Sequence, residues 1–202
     1  MHISEGILSA PVLISGGALA AAGTALGLKK LDDDRLAQAG LLSAAFFVAS
    51  LIHVPVGPAN AHLILNGLVG LLLGWAAFPA ILVALVLQAI LFQFGGITAL
   101  GVNTMIMALP AVLCYIVCSP FLHKKSALAL PAAFACGFLS VLLSALVLGL
   151  ALVFTEENFF EVSAIVIVAH IPVMIIEGIV TALCVAFLKK VQPTMLPGFP
   201  KQ

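Results

Sequence analysis

The sequence predicts an all-α integral membrane protein, a bundle of seven transmembrane helices with its N-terminus outside and its C-terminus in the cytoplasm. Of its 202 residues, 63% are hydrophobic and 8% are charged, whereas a soluble domain carries roughly 25% charged residues. The mean hydropathy of +1.29 agrees with this class. The formal net charge is zero, which disfavours nucleic acid as a partner. No basic region precedes the first apolar run, so we expect no signal peptide.

Seven apolar runs are candidates for membrane spans, because a helix needs about 20 residues to cross the hydrocarbon core. They cover residues 7–28, 36–53, 63–78, 80–94, 103–122, 128–153 and 162–188. The third and fourth belong to one run that is too long for a single crossing. We divide it between Gly74 and Pro79, since glycine and proline interrupt helices. We expect the seven spans to form one membrane domain over residues 1–202.

The positions of the basic residues support this division. With seven spans, every lysine and arginine lies on one side: Lys29, Lys30, Arg35, Lys124, Lys125, Lys189, Lys190 and Lys201. A six-span arrangement would distribute them between both sides. The positive-inside rule then places the basic side in the cytoplasm and the N-terminus outside. Glycine pairs at helical spacing, such as Gly23 and Gly27, indicate close packing between the helices.

The chain opens with a possible metal chelate. The α-amine of Met1, the amide nitrogen of His2 and the His2 imidazole can close two adjoining rings on one metal ion. Because His2 is large, we expect Met1 to be retained and its amine to be part of the site. The alternative is an ordinary histidine near the N-terminus with no ligand role.

Further candidate ligands lie in the loop after the second span, on the same predicted outer face. Imidazole is the commonest metal ligand in proteins, and a planar set of four nitrogens favours Ni(II) or Cu(II). We prefer His62 as the ligand that completes such a set, because it opens the third span after a loop rich in proline and glycine. His53 ends the second span and is an alternative ligand or a residue that supports the site, as is Asn60.

Three polar residues in or near the later spans are also candidates. Asn103 follows a glycine-rich turn that we expect to cover a cavity, and it is either a helix cap or an amide that supports the metal ligands. His170 lies in the last span on the outer side. Glu177 lies in the middle of that span, where an ionisable residue is costly and usually functional. A proton relay with His170, a structural hydrogen bond and coupling to a partner are its possible roles.

Four segments, taken in order, resemble the CbiM/NikM family of substrate-capture components of energy-coupling factor transporters for cobalt and nickel. They are the opening Met1-His2-Ile3-x-Glu5-Gly6, the segment around His62, residues 95–104 and residues 170–178. The resemblance implies a multi-pass protein of a prokaryotic plasma membrane that binds Co(II) or Ni(II) as the transported substrate, with no resident cofactor. The ligands that it implies are Met1, His2 and His62.

The resemblance also implies partner chains. These are a transmembrane coupling subunit, two ABC-type ATPases and, in many systems, a small accessory membrane protein. ATP hydrolysis then belongs to the partners, and this chain is a transporter subunit rather than an enzyme. The segment Asn60-Ala61-His62-Leu63 departs from the Ser/Thr/Gly-His form of typical members, which leaves His53 open as the fourth ligand.

Two other functions compete with metal capture. An intramembrane metal-dependent hydrolase would need a cluster of histidine and carboxylate ligands with an open coordination position. Only His170 and Glu177 are available near the middle of the membrane, and the sequence contains no HExxH motif. A non-catalytic scaffold for a transporter complex is the second alternative.

Overall fold

The computed structural model describes residues 2–56, 59–122, 127–156 and 160–197, with the backbone alone for residues 53–56, 59–61, 160, 162 and 163. The described chain is mostly helical, as predicted. Its α-helices are α1 (Ala10–Lys29), α2 (Leu36–Ala49), α3 (Asn66–Leu73), α4 (Ala77–Phe92), α5 (Leu100–Cys118), α6 (Ala129–Val153), α7 (Phe160–Ala169) and α8 (Ile171–Val191). Short 3-10 turns cover Asp33–Arg35, Gly74–Ala76, Ser119–Leu122 and Pro193–Met195.

Five helical stretches in the described residues are long and apolar enough to cross a membrane: Ala10–Lys29, Asn66–Phe92, Leu100–Leu122, Ala129–Val153 and Ile171–Val191. Large apolar side chains such as Ile14, Ile90 and Leu183 are exposed on their outer surfaces. In water such exposure would be unfavourable, but in lipid it is the expected arrangement. The chain is therefore a multi-pass membrane protein.

The stretch Asn66–Phe92 reverses direction at the 3-10 turn Gly74–Ala76, where Gly74 has a φ of +59°. Gly70 packs on the backbone of Ala111, and Gly74 lies against Tyr115, so α3 runs parallel to α5. Phe78 instead lies against Gly23 of α1. The far end of α4 lies beside the chain that precedes α1. Helix α4 is thus antiparallel to α1 and α3, and the break at Gly74–Ala76 falls in the interval at which the run of residues 63–94 was divided.

Helix α3 is shorter than the predicted span 63–78. Its eight residues are all buried, and at 1.5 Å per residue it is about 12 Å long. The predicted second span, 36–53, is also too long, because α2 ends at Ala49. Between these helices the chain forms an antiparallel hairpin of β1 (His53–Val56) and β2 (Ala59–His62). The hairpin and the short helix were not predicted.

The predicted last span, 162–188, consists of two consecutive helices. Helices α7 and α8 meet at His170, and Pro172 stands in the first turn of α8. Proline lacks an N–H group and clashes with the preceding turn, which explains the break. The amide of His170 still bonds to Val166, and that of Met174 bonds to His170. The two helices therefore continue one path with a kink.

The two ends of the bundle differ in chemistry. One cleft is lined both by Asp32, Asp34 and Arg35 before α2 and by Gln192 and Thr194 after α8. The Lys30 ammonium lies 5.1 Å from the Trp75 ring centre, at the turn that precedes α4. We call this the basic end, because Lys29, Lys30 and Arg35 lie here. At the opposite end lie the first residues of the chain, the hairpin and the loop between α4 and α5.

Candidate metal-binding site

Two imidazole rings from distant parts of the sequence meet at the end opposite the basic end. The ring centres of His2 and His62 are 5.0 Å apart, with 32° between the ring planes. His62 ends the hairpin and is buried, and Phe94 lies on another side of His2, 5.8 Å from it between ring centres. The side chains of these two histidines thus form the centre of the candidate site.

The backbone beside His2 is held by Asn103 of α5. The Ile3 amide donates to Asn103 Oδ1 at 2.9 Å, and Asn103 Nδ2 donates to the Ile3 carbonyl at 3.1 Å. Both residues are buried, with 4% and 1% of their surface exposed. This arrangement satisfies both backbone groups of one residue, as a β-ladder would. The N-terminal segment, residues 2–8, is therefore docked on the bundle.

The loop between α4 and α5 supplies a second attachment for the N-terminal segment. Thr98 donates its amide hydrogen to Glu5 Oε1 at 3.0 Å, and this bond lowers the pKa of Glu5. Gly95 and Gly96 both adopt positive φ, +76° and +83°. A Cβ at Gly95 would lie 2.5 Å from Asn103 Nδ2 and 3.5 Å from the His2 side chain. Only glycine combines that conformation with so close an approach.

A buried amide from α4 binds the His2 ring. His2 Nε2 and Gln88 Oε1 are 2.7 Å apart, and Gln88 is fully buried. Gln88 Nε2 donates to Ser50 Oγ at 2.9 Å, and Ser50 Oγ donates to the Phe47 carbonyl at 2.7 Å. Three polar side chains therefore connect the N-terminal segment to α4 and to the end of α2.

The ring of His2 is in the neutral form that binds metals. Its pKa is lowered to about 4, mainly because burial disfavours the charged imidazolium, with a further contribution from the positive N-terminus. The hydrogen bond to Gln88 acts in the opposite direction but is the smallest of the three effects. The imidazole therefore needs to lose no proton before it binds a cation at neutral pH.

The other histidine is oriented by its own chain. His62 Nδ1 lies 3.0 Å from the Leu63 carbonyl oxygen. A carbonyl oxygen only accepts, so Nδ1 carries a proton, and in a neutral ring the lone pair resides on Nε2. Histidine ligands commonly use one nitrogen for the metal and the other for such a bond.

Glu177 supports the same chain segment from the interior of the bundle. Its Oε1 accepts hydrogen bonds from the amides of Ile64 and Leu65, the latter at 2.8 Å. These amides lie just before α3, where helix N–H groups lack intrahelical partners and the helix dipole favours negative charge. Of the roles predicted for Glu177, the structure shows the structural hydrogen bond, and His170 takes no part in it.

The remaining predicted residues have different outcomes. Met1 lies outside the described residues. In the hairpin, the backbone of His53 pairs with that of His62, and the backbone of Asn60 pairs with that of Pro55. The structure describes only the backbone of His53 and Asn60. His170 Nδ1 bonds to the Val166 carbonyl of its own helix.

The proposed cap role of Asn103 is wrong. The residue lies within α5, which begins at Leu100 after the cap residue Ala99. Its side chain instead bonds to the backbone of Ile3. The other role, an amide that supports metal ligands, stays a prediction.

Sequence reasoning missed Gln88, Ser50 and the contact made by Glu5. Gln88 is the single polar side chain in the helix Ala77–Phe92. A buried amide in an apolar membrane helix is costly without partners, so the position of Gln88 in the sequence could have indicated a buried contact.

Across the described residues, no group of three or more His, Cys, Asp or Glu side chains could hold a metal ion. Among the described side chains, a metal site here would have His2 and His62 as its imidazole ligands.

Comparison with known proteins identifies the family. Residues 2–195 match the family described as CbiM, the cobalt uptake substrate-specific transmembrane region. The chain belongs to this family. The CbiM match covers all the helices and both histidines of the site, so the chain is a membrane component of cobalt or nickel transport rather than an enzyme.

Individual relatives agree with this assignment. A putative metal transport protein of Haemophilus influenzae is 42% identical over 97% of both chains. The cobalt transport protein CbiM of Kyrpidia tusciae is 34% identical over 97% of this chain and 86% of its own. A crystal structure of a transition metal transporter has a TM-score of 0.80 at 27% identity and covers 95% of this chain and 93% of that one.

Proposed function

We propose that this chain is the substrate-binding subunit of an energy-coupling factor importer and captures Co(II) or Ni(II) at the His2–His62 site. Four nitrogens would bind the ion: the Met1 amine, the His2 amide and Nδ1, and His62 Nε2. The observation that carries the proposal is the meeting of the two imidazole rings beside a docked N-terminal segment. The metal is the transported substrate, and no resident cofactor is required.

The separation of the rings supports this ligand set. The amine, amide and Nδ1 of the N-terminal chelate occupy three corners of a square, so the fourth ligand is adjacent to the His2 ring. With metal–nitrogen bonds of about 2 Å, adjacent imidazoles have ring centres about 4.5 Å apart and opposite ones about 6.5 Å apart. The observed 5.0 Å is close to the adjacent arrangement. For this reason we propose His62, and not His53, as the fourth ligand.

The charge distribution supports an import direction. Lys29, Lys30 and Arg35 lie at the basic end, and the histidine site lies at the other end. By the positive-inside rule the basic end is cytoplasmic, so the site faces the outside, where an importer meets its substrate. The coupling subunit, the two ABC-type ATPases and a small accessory protein would complete the transporter in a prokaryotic plasma membrane.

Titration calorimetry with Ni(II) and Co(II) tests the ligand set on protein that carries a native N-terminus and a C-terminal tag. Loss of a residue that supports a ligand typically weakens metal binding by roughly 10–100-fold. We expect a larger loss of affinity from each of three changes: His2→Ala, His62→Ala and a single glycine added before Met1. His170→Asn and His53→Ala serve as matched controls that keep the affinity. Unchanged affinity in the extended protein would show that the N-terminal amine is no ligand.

The choice between the two metals depends on amide deprotonation, which Ni(II) promotes more readily than Co(II). A planar set of nitrogens likewise favours Ni(II). X-ray absorption at the metal edge of protein purified from metal-supplemented cells would give both the identity of the ion and its coordination number.

A further inference from the structure

The proton positions around His2 can be deduced from the end of α2. At the end of α2, the Ser50 amide bonds to the Phe46 carbonyl and the Leu51 amide to the Val48 carbonyl. The Ile52 amide bonds to the Ala49 carbonyl. None of these three bonds goes to the Phe47 carbonyl. The hydroxyl of Ser50 donates to the Phe47 carbonyl at 2.7 Å. A hydroxyl has one proton, so Ser50 Oγ can only accept from its other neighbour, Gln88.

The orientation of the Gln88 side-chain amide follows from the proton position on Ser50. Its NH₂ group donates to Ser50 Oγ at 2.9 Å, which turns its oxygen toward His2 Nε2 at 2.7 Å. With the amide reversed, Ser50 would have to donate to Gln88 and would leave the Phe47 carbonyl without its hydroxyl donor. Buried carbonyl groups are rarely left unpaired. His2 Nε2 therefore carries the proton, and in a neutral ring the lone pair resides on Nδ1.

We propose that Gln88 is a positioning residue that holds His2 in the Nε2-protonated tautomer and so presents Nδ1 to the transported metal ion. This inference rests on the proposed function. A metal bound to the His2 amide nitrogen closes a six-membered ring through Cα, Cβ, Cγ and Nδ1, whereas Nε2 lies one atom farther away and cannot close it. The other tautomer would place a proton where the metal binds.

Two measurements test the role of Gln88. The tautomer of His2 is read by NMR of the metal-free protein labelled with ¹⁵N-histidine, with the His2 signal assigned by its loss in His2→Asn. The affinity for Ni(II) is read by calorimetry. In the unaltered protein we expect Nε2–H. In Gln88→Met we expect a mixture of tautomers and a Kd raised about 10–100-fold.

A conservative variant and two serine variants separate positioning from a structural role. Gln88→Glu keeps an acceptor for Nε2–H, so it should restore the tautomer and most of the affinity. Ser50→Ala frees the amide to turn and should give an intermediate result. Ser43→Ala removes a similar buried hydroxyl of α2, which donates to the Ala80 carbonyl, and should change neither property.

The outcomes that contradict the inference are distinct from failure of the proposed function. An Nδ1–H tautomer in the metal-free protein, or an unchanged tautomer and Kd in Gln88→Met, would overturn the role of Gln88. If Gln88→Met does not fold, failure of Gln88→Glu to keep the Nε2–H tautomer overturns it equally. Absence of Ni(II) and Co(II) binding in the unaltered protein would instead reject the proposed function, and the tautomer would still be measurable.

Discussion

Asn103 holds the backbone of Ile3 from both sides: it accepts a hydrogen bond from the Ile3 amide and donates one to the Ile3 carbonyl. The residue next to His2 is thereby tied to α5. Without this pair of bonds, the N-terminal segment would have to be ordered each time a metal ion binds, and that ordering would reduce the affinity.

Replacement of Asn103 should therefore weaken metal binding without unfolding the bundle. We expect Asn103→Ala to raise the Kd for Ni(II) by about 10–100-fold, because it removes support for a ligand rather than the ligand itself. Titration calorimetry measures this change. Thr104→Val is the matched control, since Thr104 is buried next to Asn103 and, within the described part of the chain, its hydroxyl bonds to the Leu100 carbonyl of its own helix. An Asn103→Ala protein with normal affinity would contradict the role assigned to the bonds.

Loss of the Glu177 carboxylate should destabilise the segment that follows His62. Glu177→Ala leaves the buried amides of Ile64 and Leu65 without their acceptor, at a cost of about 1–3 kcal/mol for each unsatisfied group. We expect a lower thermal midpoint in detergent and weaker Ni(II) binding. Glu177→Gln keeps an oxygen that can accept from these amides, so its effect should be smaller.

Thr181→Val, one turn along the same helix, is the control for Glu177. The Thr181 hydroxyl is buried and makes no hydrogen bond with the described residues, so an apolar replacement of similar shape should be neutral or stabilising. Equal losses in Glu177→Ala and Thr181→Val would show that any change in α8 has the observed effect.

Alanine at Gly95 should displace the N-terminal segment, because its Cβ would collide with Asn103 and approach His2. Gly6 also has a positive φ, +80°, but a Cβ added there would have no atom within 4 Å. Gly6→Ala therefore imposes only the backbone strain, of about 1–3 kcal/mol. We expect hydrogen exchange to show greater loss of protection at Ile3 in Gly95→Ala than in Gly6→Ala. Gly17→Ala, with free space and ordinary φ, should match the unaltered protein.

Docking of the N-terminal segment should weaken as the pH falls. The pKa of His2 is lowered to about 4 in the docked state, against about 6.5 for an exposed histidine. Between these values the undocked segment takes up a proton that the docked segment excludes, so acid favours undocking. Hydrogen exchange of the metal-free protein at pH 7, 5.5 and 4.5 should show falling protection at Ile3. Protection that is constant over this range, or rises in acid, would contradict the prediction.

Much of the fold could be predicted because membrane helices follow from apolar length and from the requirement that backbone groups pair internally. The reversal near Gly74 followed from the same reasoning, since a run from residue 63 to 94 exceeds one crossing. The hairpin of residues 53–62 could not be predicted in this way. Whether two strands pair depends on the residues that pack around them. From the apolar pattern alone, the second helix was predicted to continue to residue 53.

Of the candidate site, the two histidines and Asn103 could be named from the sequence, and the other supporting contacts could not. His2 and His62 are identifiable because imidazole has a specific chemistry, and the two rings do meet. The supporting contacts join residues that are far apart in the chain, as Gln88 joins His2 and Glu177 joins Ile64. An amide or a carboxylate has many possible partners, so its partner becomes known only when the helices are in place.

The eight buried residues of α3 have a mechanical consequence. The segment before the helix is fixed by Glu177, and the carbonyl of Leu72 at its other end accepts a hydrogen bond from Arg35. The helix is thus a short link between the segment that follows His62 and the basic end. Because every residue of the helix is buried in the protein, it has no side open to lipid, and it links the segment after His62 directly to the Gly74 turn.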